Sequence, residues 1–227
     1  MTTTISNRET VNNNVNVTKL LLVCGVVAGP LFIGLTLIQA FTRQGFDLTR
    51  HAVSLLLLGA QGWIQFINFF LTGLLAVAYA AGIWRQLHPG RGGTWGPLLV
   101  GLYGAGFIVA GFFPPDPEFG FPAGAPAGMP STPSGHAMLH SLAFFILVIA
   151  VVAASFVFAR RFASLQQRGW EAYCLATGVS APLLLVVGIA MTPSGKSGLP
   201  LLGVAVVTSA WVAIVARRLL AERNMEN

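Results

Sequence analysis

The sequence is poor in charged residues, which make up only 9% of its 227 positions. Soluble domains carry about 25% charged residues, because a surface exposed to water has to be covered. Hydrophobic residues instead make up 55% of the chain, and the mean hydropathy is +0.73. This balance excludes an ordinary soluble domain and predicts an integral membrane protein whose first partner is the lipid bilayer.

Cysteine is also scarce. The chain has two, Cys24 and Cys174, and both lie inside apolar runs. Such cysteines are typical small packing residues, so a disulfide framework is not expected.

The net charge of +6 is carried by basic residues that flank the apolar runs. It therefore indicates membrane topology, and no nucleic-acid partner is expected.

The apolar residues are grouped into runs long enough to cross a bilayer, which takes about 20 residues of helix. Lipid cannot hydrogen-bond the backbone, so each run is predicted to be helical. The fold class is all-α, a polytopic membrane protein with six transmembrane helices. The predicted spans are 20–41, 63–84, 95–113, 136–159, 171–191 and 199–216.

Residues 52–84 are nearly all apolar, which is too long for a single span. Gly59 and Gly62 offer a break, so 52–60 is predicted to be a short helix that lies in the interface or folds back as a re-entrant segment. The single membrane domain covers 19–218. Residues 1–18, rich in Asn and Thr, are predicted to be a disordered tail, and 219–227 form a second tail.

Basic residues predict the orientation. With the N-terminus in the cytoplasm, ten lysines and arginines lie inside and three lie outside, namely Arg43, Arg50 and Lys196. Ten against three is a positive-inside signal, which predicts a bacterial inner-membrane protein with both termini cytoplasmic. The ten inside are Arg8, Lys19, Arg85, Arg91, Arg160, Arg161, Arg168, Arg217, Arg218 and Arg223.

Ionisable residues are missing from the centres of all six predicted spans. Such residues usually mark ion or proton pathways, so their absence disfavours an ion-driven pump. Weakly polar residues within the spans are expected to pair helices rather than to bind substrate. They include Gln39, Gln65, Asn68, Tyr79, Tyr103 and Thr177. The glycine-rich faces at 25–29 and 101–111 are expected to allow close packing inside one bundle, in preference to a dimer interface.

The outer segments carry a mixture of acids, bases, imidazoles and hydroxyls, which is what a site needs. In STPSGHAMLH, 131–140, His136 and His140 are four residues apart and share one helix face. With Asp116 from the preceding loop they form a candidate metal set, for which zinc is the suited ion. The alternative is helix-start chemistry, with Ser134 as N-cap and both histidines in structural hydrogen bonds.

A phosphatase signature is a third interpretation, because Pro133-Ser134-Gly135-His136 is similar to a string in phosphatidic acid phosphatases of type 2. Those enzymes also need a phosphate clamp with Arg before Pro, and no Arg precedes a Pro in this chain. Haem ligation is disfavoured too, because His136 and His140 share one helix.

Two more outer segments are of interest. The loop 114–135 has seven prolines and no Lys or Arg, and it is expected to be either a lid over a site or a passive loop. In 45–59, Asp47 and Arg50 are predicted to pair on one helical face, with His51 and Ser54 continuing its polar side and leucines against lipid. His51, Asp47 and Ser54 are the candidate catalytic residues.

Residues 28–70, the segment AAGIWRQLHPGRGGTWGPLLVGLYGAGFIVAGFFPPDPEFGFPAGAPAG and the GHAMLH motif are similar to the domain of unknown function 998 family. This resemblance to bacterial multi-pass membrane proteins implies a six-helix membrane fold and no established activity. The family's Asp-Pro, Gly-Phe-Pro and His-x-x-x-His correspond here to Asp116-Pro117, Gly120-Phe121-Pro122 and His136 with His140.

A more distant analogy links the chain to the CREST membrane hydrolases, which hold zinc with a Ser, an Asp and three His. Ser54, His51, Asp116, His136 and His140 supply those residue types here. One hypothesis is therefore metal-assisted hydrolysis of an amphiphilic or lipid substrate at the outer face. The other is a non-catalytic binding or permease-like protein, or a subunit of a membrane complex. Neither the ligand nor the oligomeric state follows from the sequence.

Overall fold

The computed structural model describes the backbone of residues 2–225 and the side chains of residues 16–225. This part of the chain is helical and has no β-strand, apart from one isolated bridge between Glu118 and Phe121. The six long helices are α1 (Thr2–Thr42), α2 (Gly62–Leu87), α3 (Trp95–Phe112), α4 (Gly135–Ser164), α5 (Arg168–Met191) and α6 (Gly198–Met225). Two 3₁₀ turns, Val53–Leu57 and Thr192–Ser194, lie in the connections.

All six helices contain a stretch long and apolar enough to cross a membrane. The six predicted spans are thus confirmed, and most of their ends lie within a few residues of the helix ends. The largest difference is at the start of α1, at Thr2, and α4 and α6 continue to Ser164 and Met225. Arginines at these ends keep their aliphatic stems along the helix while their charge reaches water, so the helix need not stop at the lipid boundary.

The predicted tail 1–18 is helical in its backbone from Thr2 onward. A helix that has already nucleated adds residues at little cost, and this segment directly precedes the first span. The side chains of residues 1–15 lie outside the described part of the chain. The tail 219–227 likewise continues α6 as far as Met225.

The helices form a closed ring in which each packs against its neighbours in sequence and α1 packs against α6. The short connections 88–94, 165–167 and 192–197 favour antiparallel neighbours, which accounts for the α2–α3, α4–α5 and α5–α6 contacts. The core inside the ring contains Phe32, Phe107, Phe158 and Trp211. Phe32 and Phe107 meet edge to face with ring centroids 4.8 Å apart.

Glycines permit the closest helix contacts. A Cβ on Gly73 would lie 2.6 Å from the carbonyl oxygen of Gly104, and one on Gly104 would lie 2.7 Å from that of Gly73. A Cβ on Gly25 would lie 2.5 Å from the ring of Tyr79. Both predicted glycine-rich faces therefore pack inside one bundle, as expected.

With six helices crossing in alternation, both termini lie on one side, together with the connections 88–94 and 165–167. We call this side the terminal face. The other side carries the connections 43–61, 113–134 and 192–197, and we call it the three-loop face. The connection 113–134 contacts the other two, because His51 reaches Phe119 and a Cβ on Gly195 would lie 3.2 Å from the ring of Phe119.

The segment predicted as an interfacial or re-entrant helix is the 3₁₀ turn Val53–Leu57. It folds back against α1, α2 and α6, and the side chains of Leu55 and Leu56 are fully buried. The guanidinium of Arg43 donates to the carbonyls of Leu56 and Leu58, which lie at the end of the 3₁₀ turn and have no following helix to donate to them. The short helix is thus confirmed as a 3₁₀ turn, and the expectation that its leucines face lipid is wrong for Leu55 and Leu56.

Candidate binding cavity at the three-loop face

His51 connects two of the three loops. It is 2% exposed, and its Nδ1 accepts a hydrogen bond from the backbone N–H of Asp47 at 2.9 Å. Since Nδ1 is the acceptor, Nε2 carries the hydrogen and donates to the carbonyl of Phe119 at 3.2 Å. The ring also packs against Phe46 and Phe121. With both nitrogens occupied, His51 joins the loops and has no free nitrogen for a metal or for proton transfer.

Asp47 forms a local turn instead of the predicted helical ion pair. Its Oδ1 accepts from the backbone N–H of Thr49 at 2.8 Å and from the Thr49 hydroxyl at 2.7 Å. The Thr49 hydroxyl is the largest cause that lowers the pKa of this carboxyl. Residues 47–51 are a turn rather than a regular helix, and Asp47 and Arg50 form no salt bridge, although the charge of Arg50 contributes to the lowered pKa of Asp47.

His140 stabilises the end of α3. Its Nδ1 lies 2.9 Å from the carbonyl oxygen of Ala110 and 2.8 Å from that of Phe113. In a continuing helix these carbonyls would accept from residues 114 and 117, but both are prolines without an N–H. The imidazole supplies the N–H that these prolines lack. Because both partners of Nδ1 are carbonyl acceptors, the ring hydrogen must be on Nδ1. Nε2 is then the nitrogen left as an acceptor.

His136 and Asp116 also take part in the start of α4. Ser134 is the N-cap, as predicted, and its Oγ accepts from the backbone N–H of Ala137 at 3.1 Å. Oδ2 of Asp116 accepts from the backbone N–H of Ser134 at 2.7 Å. His136 is exposed, and its ring meets that of Phe113 edge to face. These contacts are the helix-start chemistry that was the alternative to a metal set.

The residues of the candidate zinc site do not assemble. Within the described residues, no group of three or more His, Cys, Asp or Glu side chains is arranged to hold a metal ion. His140 is turned to the end of α3 and His51 to Phe119, so the grouping expected from the CREST analogy is not formed either. The donor set present does not fit a zinc ion.

Several of the predicted site residues do meet, but around a cavity. The cavity has a volume of about 550 Å³, and Ser54, Asp116 and His140 all line it. At the three-loop face its polar lining also includes Glu118 and Ser141. Deeper in the bundle the lining becomes apolar, with Phe32, Phe69, Phe107, Val148, Leu185 and Val204. His136, His51 and Asp47 do not line it.

Glu118 lines the cavity but is not among the candidate site residues that the sequence predicts. Burial raises the pKa of its carboxyl, and the neighbouring charge of Asp116 raises it further. The cavity therefore has two acids at its mouth, and no Lys or Arg lines it. The sequence feature that could have predicted this pair of acids is Asp116-Pro117-Glu118, which lies in a loop without Lys or Arg.

One wall of the cavity reaches the outside of the bundle between α4 and α5. Met138 of α4 and Ile189 of α5 line the cavity and are 63% and 48% exposed. Apolar side chains exposed on spanning helices face the acyl chains of the bilayer. The cavity thus lies beside the lipid as well as beneath the loops.

The opposite wall is held by a buried polar network between α1 and α2. Nε2 of Gln39 donates to Oε1 of Gln65 at 2.6 Å, and Nδ2 of Asn68 donates to the carbonyl of Phe32 at 3.0 Å. Nε2 of Gln65 donates to the hydroxyl of Thr36 and to the carbonyl of Val53. As expected, these residues pair helices, and they also attach the 3₁₀ turn to the bundle.

Fold and cavity together define a class, that of six-helix polytopic membrane proteins with a mainly apolar cavity under three loops at one face. Residues 26–218 match the family described as protein of unknown function (DUF998). The chain belongs to this family. No curated protein and no solved structure is detectably similar to the chain.

Proposed function

We propose that the protein binds an amphiphilic molecule, with the apolar part in the cavity and the polar head between the loops. The observation that carries this proposal is the single cavity that runs from Asp116 and Glu118 to Phe107 and Val204. Its volume of about 550 Å³ is within the range of about 300–1,000 Å³ for small-molecule sites. The exposed wall between α4 and α5 offers a path from the bilayer.

The lining supports a particular kind of head group. The two acids at the mouth have no basic counterpart in the lining, and an anionic head would be repelled. Nε2 of His140 and the hydroxyls of Ser54 and Ser141 add acceptors. A cationic or hydrogen-bond-donating head, such as an amine, is the chemistry that complements this set.

The proposed membrane is the bacterial cytoplasmic membrane, with the terminal face inside. Ten of the thirteen lysines and arginines belong to the terminal face, and three belong to the three-loop face. This distribution supports cytoplasmic termini and a cavity that opens at the outer leaflet.

The test uses alkylamines, alkanols and fatty acids with the same twelve-carbon chain, added to the purified full-length protein in a mild detergent. Thermal unfolding measures binding, because a ligand of the folded state raises the midpoint. We expect the amine to give the largest shift, and the double variant Asp116→Asn/Glu118→Gln to lose the preference for the amine.

Ala205→Phe places a large ring in the cavity and should abolish the shift for all three compounds. The matched control is Ala176→Phe on α5, which is exposed and does not line the cavity. Equal shifts in Ala205→Phe and the wild type would contradict the proposal.

Hydrolysis of such an amphiphile is the second candidate, since Ser54, Glu118 and His140 line the same cavity. Metal content decides whether it is metal-assisted. Elemental analysis of the untagged wild type and of His136→Ala/His140→Ala should give no stoichiometric zinc in either protein. About one zinc per wild-type chain, lost in the variant, would restore the predicted metal site.

A further inference from the structure

A second concave site lies on the three-loop face, outside the cavity. It is an open groove of about 590 Å³ between the 47–51 turn and the connection from α5 to α6. Thr49, Arg50, Met191, Ser194, Lys196 and Leu199 line it, together with Gly195 and Pro200. The turn Thr192–Ser194 separates the two sites, because Thr192 lines the cavity and Ser194 lines the groove.

The backbone holds the two sides of the groove together. A Cβ on Gly198 would collide with the carbonyl oxygen of Leu48, so the absence of a side chain lets the start of α6 touch the 47–51 turn. Gly195 adopts a left-handed φ of 65° and closes the 3₁₀ turn, with its N–H on the carbonyl of Thr192. Arg50 and Lys196 are thereby placed on one groove.

Neither of these two cations forms a salt bridge within the described residues, although the charge of Arg50 helps to lower the pKa of the Asp47 carboxyl. No hydrogen bond or ion pair is formed by the side chain of Arg50 or Lys196 within residues 16–225, and no acid lines the groove. The nearest acid along the chain, Asp47, is occupied by Thr49. Arg43, the third cation of this face, donates to the 53–57 turn instead.

We propose that this groove binds the phosphate of a phospholipid head group. Two cations that line one groove repel each other, and an anion bound between them offsets that repulsion. The hydroxyls of Thr49 and Ser194 already donate to Asp47 and to the carbonyl of Met191, so the two cations are the donors for phosphate oxygens. Leu199 is exposed on the surface of α6 next to Met191 at the end of α5, so acyl chains can follow these helices into the bilayer.

The groove and the cavity are tested independently, since the acids of the cavity mouth repel phosphate whereas the groove attracts it. The experiment compares wild type, Arg50→Gln/Lys196→Gln and the matched variant Arg160→Gln/Arg217→Gln, which removes two exposed cations from the terminal face. Purified full-length proteins in a neutral detergent receive dihexanoyl phosphatidylglycerol, dihexanoylglycerol or inorganic phosphate. Native mass spectrometry and thermal unfolding measure binding.

We expect phosphatidylglycerol to bind the wild type and the terminal-face variant alike, and to bind the groove variant at least tenfold more weakly. Dihexanoylglycerol, which has no phosphate, should show no difference among the three proteins. Equal affinity in all three proteins would overturn the proposal. Stabilisation by inorganic phosphate equal to that by the lipid would show a free-anion site and overturn the assignment to lipid.

Discussion

The two faces of the bundle use their polar residues in opposite ways. At the terminal face, Glu222 pairs with Arg161 at 3.1 Å and with Arg218 at 3.2 Å, and Arg218 also lies over the ring of Trp170. At the three-loop face, Arg50, Lys196 and Glu118 form no ion pair among the described residues.

The lengths of the connections account for this difference. The terminal face has only 88–94 and 165–167 between its helices, so the helix ends lie close and their side chains pair directly. The three-loop face has the long connections 43–61 and 113–134, which cover a cavity and leave charged groups around it. At the terminal face charged residues pair across helix ends, whereas at the three-loop face Arg50, Lys196 and Glu118 form no ion pair among the described residues.

The largest expected effect comes from breaking the contact between the two long loops. His51→Ala leaves the N–H of Asp47 and the carbonyl of Phe119 without partners and removes a buried ring, so it should cost about 2–4 kcal/mol. Thermal unfolding measures the loss. The control is His88→Ala at the terminal face, where an exposed ring stacks on Trp84, and a change of below about 1 kcal/mol is expected. Equal losses would show that His51 does not join the loops.

Removal of the His140 imidazole, which bonds to the last carbonyls of α3, should lower the free energy of unfolding somewhat less than His51→Ala does. His140→Ala leaves the carbonyls of Ala110 and Phe113 without a donor, which costs about 1–3 kcal/mol. His140→Asn retains an N–H near the position of Nδ1 and should recover part of this stability. Thermal unfolding of both variants tests the role, and an Asn variant no more stable than the Ala variant would contradict it.

At the terminal face, Glu222→Gln removes both ion pairs and should cost about 1 kcal/mol, because these side chains remain partly accessible to water. Binding at the three-loop face should not change. The measurement is thermal unfolding with and without dodecylamine. If the variant lost the amine-induced shift, the ion pairs of the terminal face would affect ligand binding at the three-loop face, and the two faces would not be independent.

The smallest effect is the pH dependence that Glu118 contributes. Its pKa is raised in the folded protein, so the folded state binds the proton more tightly than the unfolded state. Stability from this group is therefore present at low pH and is lost as pH rises from the ordinary value of 4.5 through the raised folded pKa. Dodecylamine binding should change in the other direction, because only the ionised carboxylate attracts the amine.

Glu118→Gln should weaken the pH dependence of both stability and dodecylamine binding. The measurement is the unfolding midpoint, with and without dodecylamine, at pH values from 4.5 upward. Asp47 provides an internal contrast, because its lowered pKa adds stability above the ordinary value of 3.8 that is lost as pH falls through the folded pKa. A Glu118→Gln profile identical to that of the wild type would show that another group causes the dependence.

The spans, the N-cap at Ser134 and the helix-pairing role of Gln39 and Gln65 could be predicted because each depends on local pattern. An apolar run defines its own helix, and a capping serine bonds three residues ahead. The regular helix expected around Asp47 and Arg50 was wrong, because the chain forms a turn there. The two residues form no salt bridge, although the charge of Arg50 helps to lower the pKa of Asp47. The zinc set did not assemble because a shared helix face places two histidines but does not choose their partners.

What the sequence determined by itself is the membrane class, the six helices and the start of α4, since bilayer thickness and backbone hydrogen bonding act on contiguous segments. Only the tertiary structure decided that His51 contacts Phe119, 68 residues away, and that His140 bonds to the carbonyls of α3. It also decided that Glu118 shares a cavity with the core, and that Arg50 shares a groove with Lys196. These pairings depend on how the helices close into a ring, and no local stretch of residues contains that information.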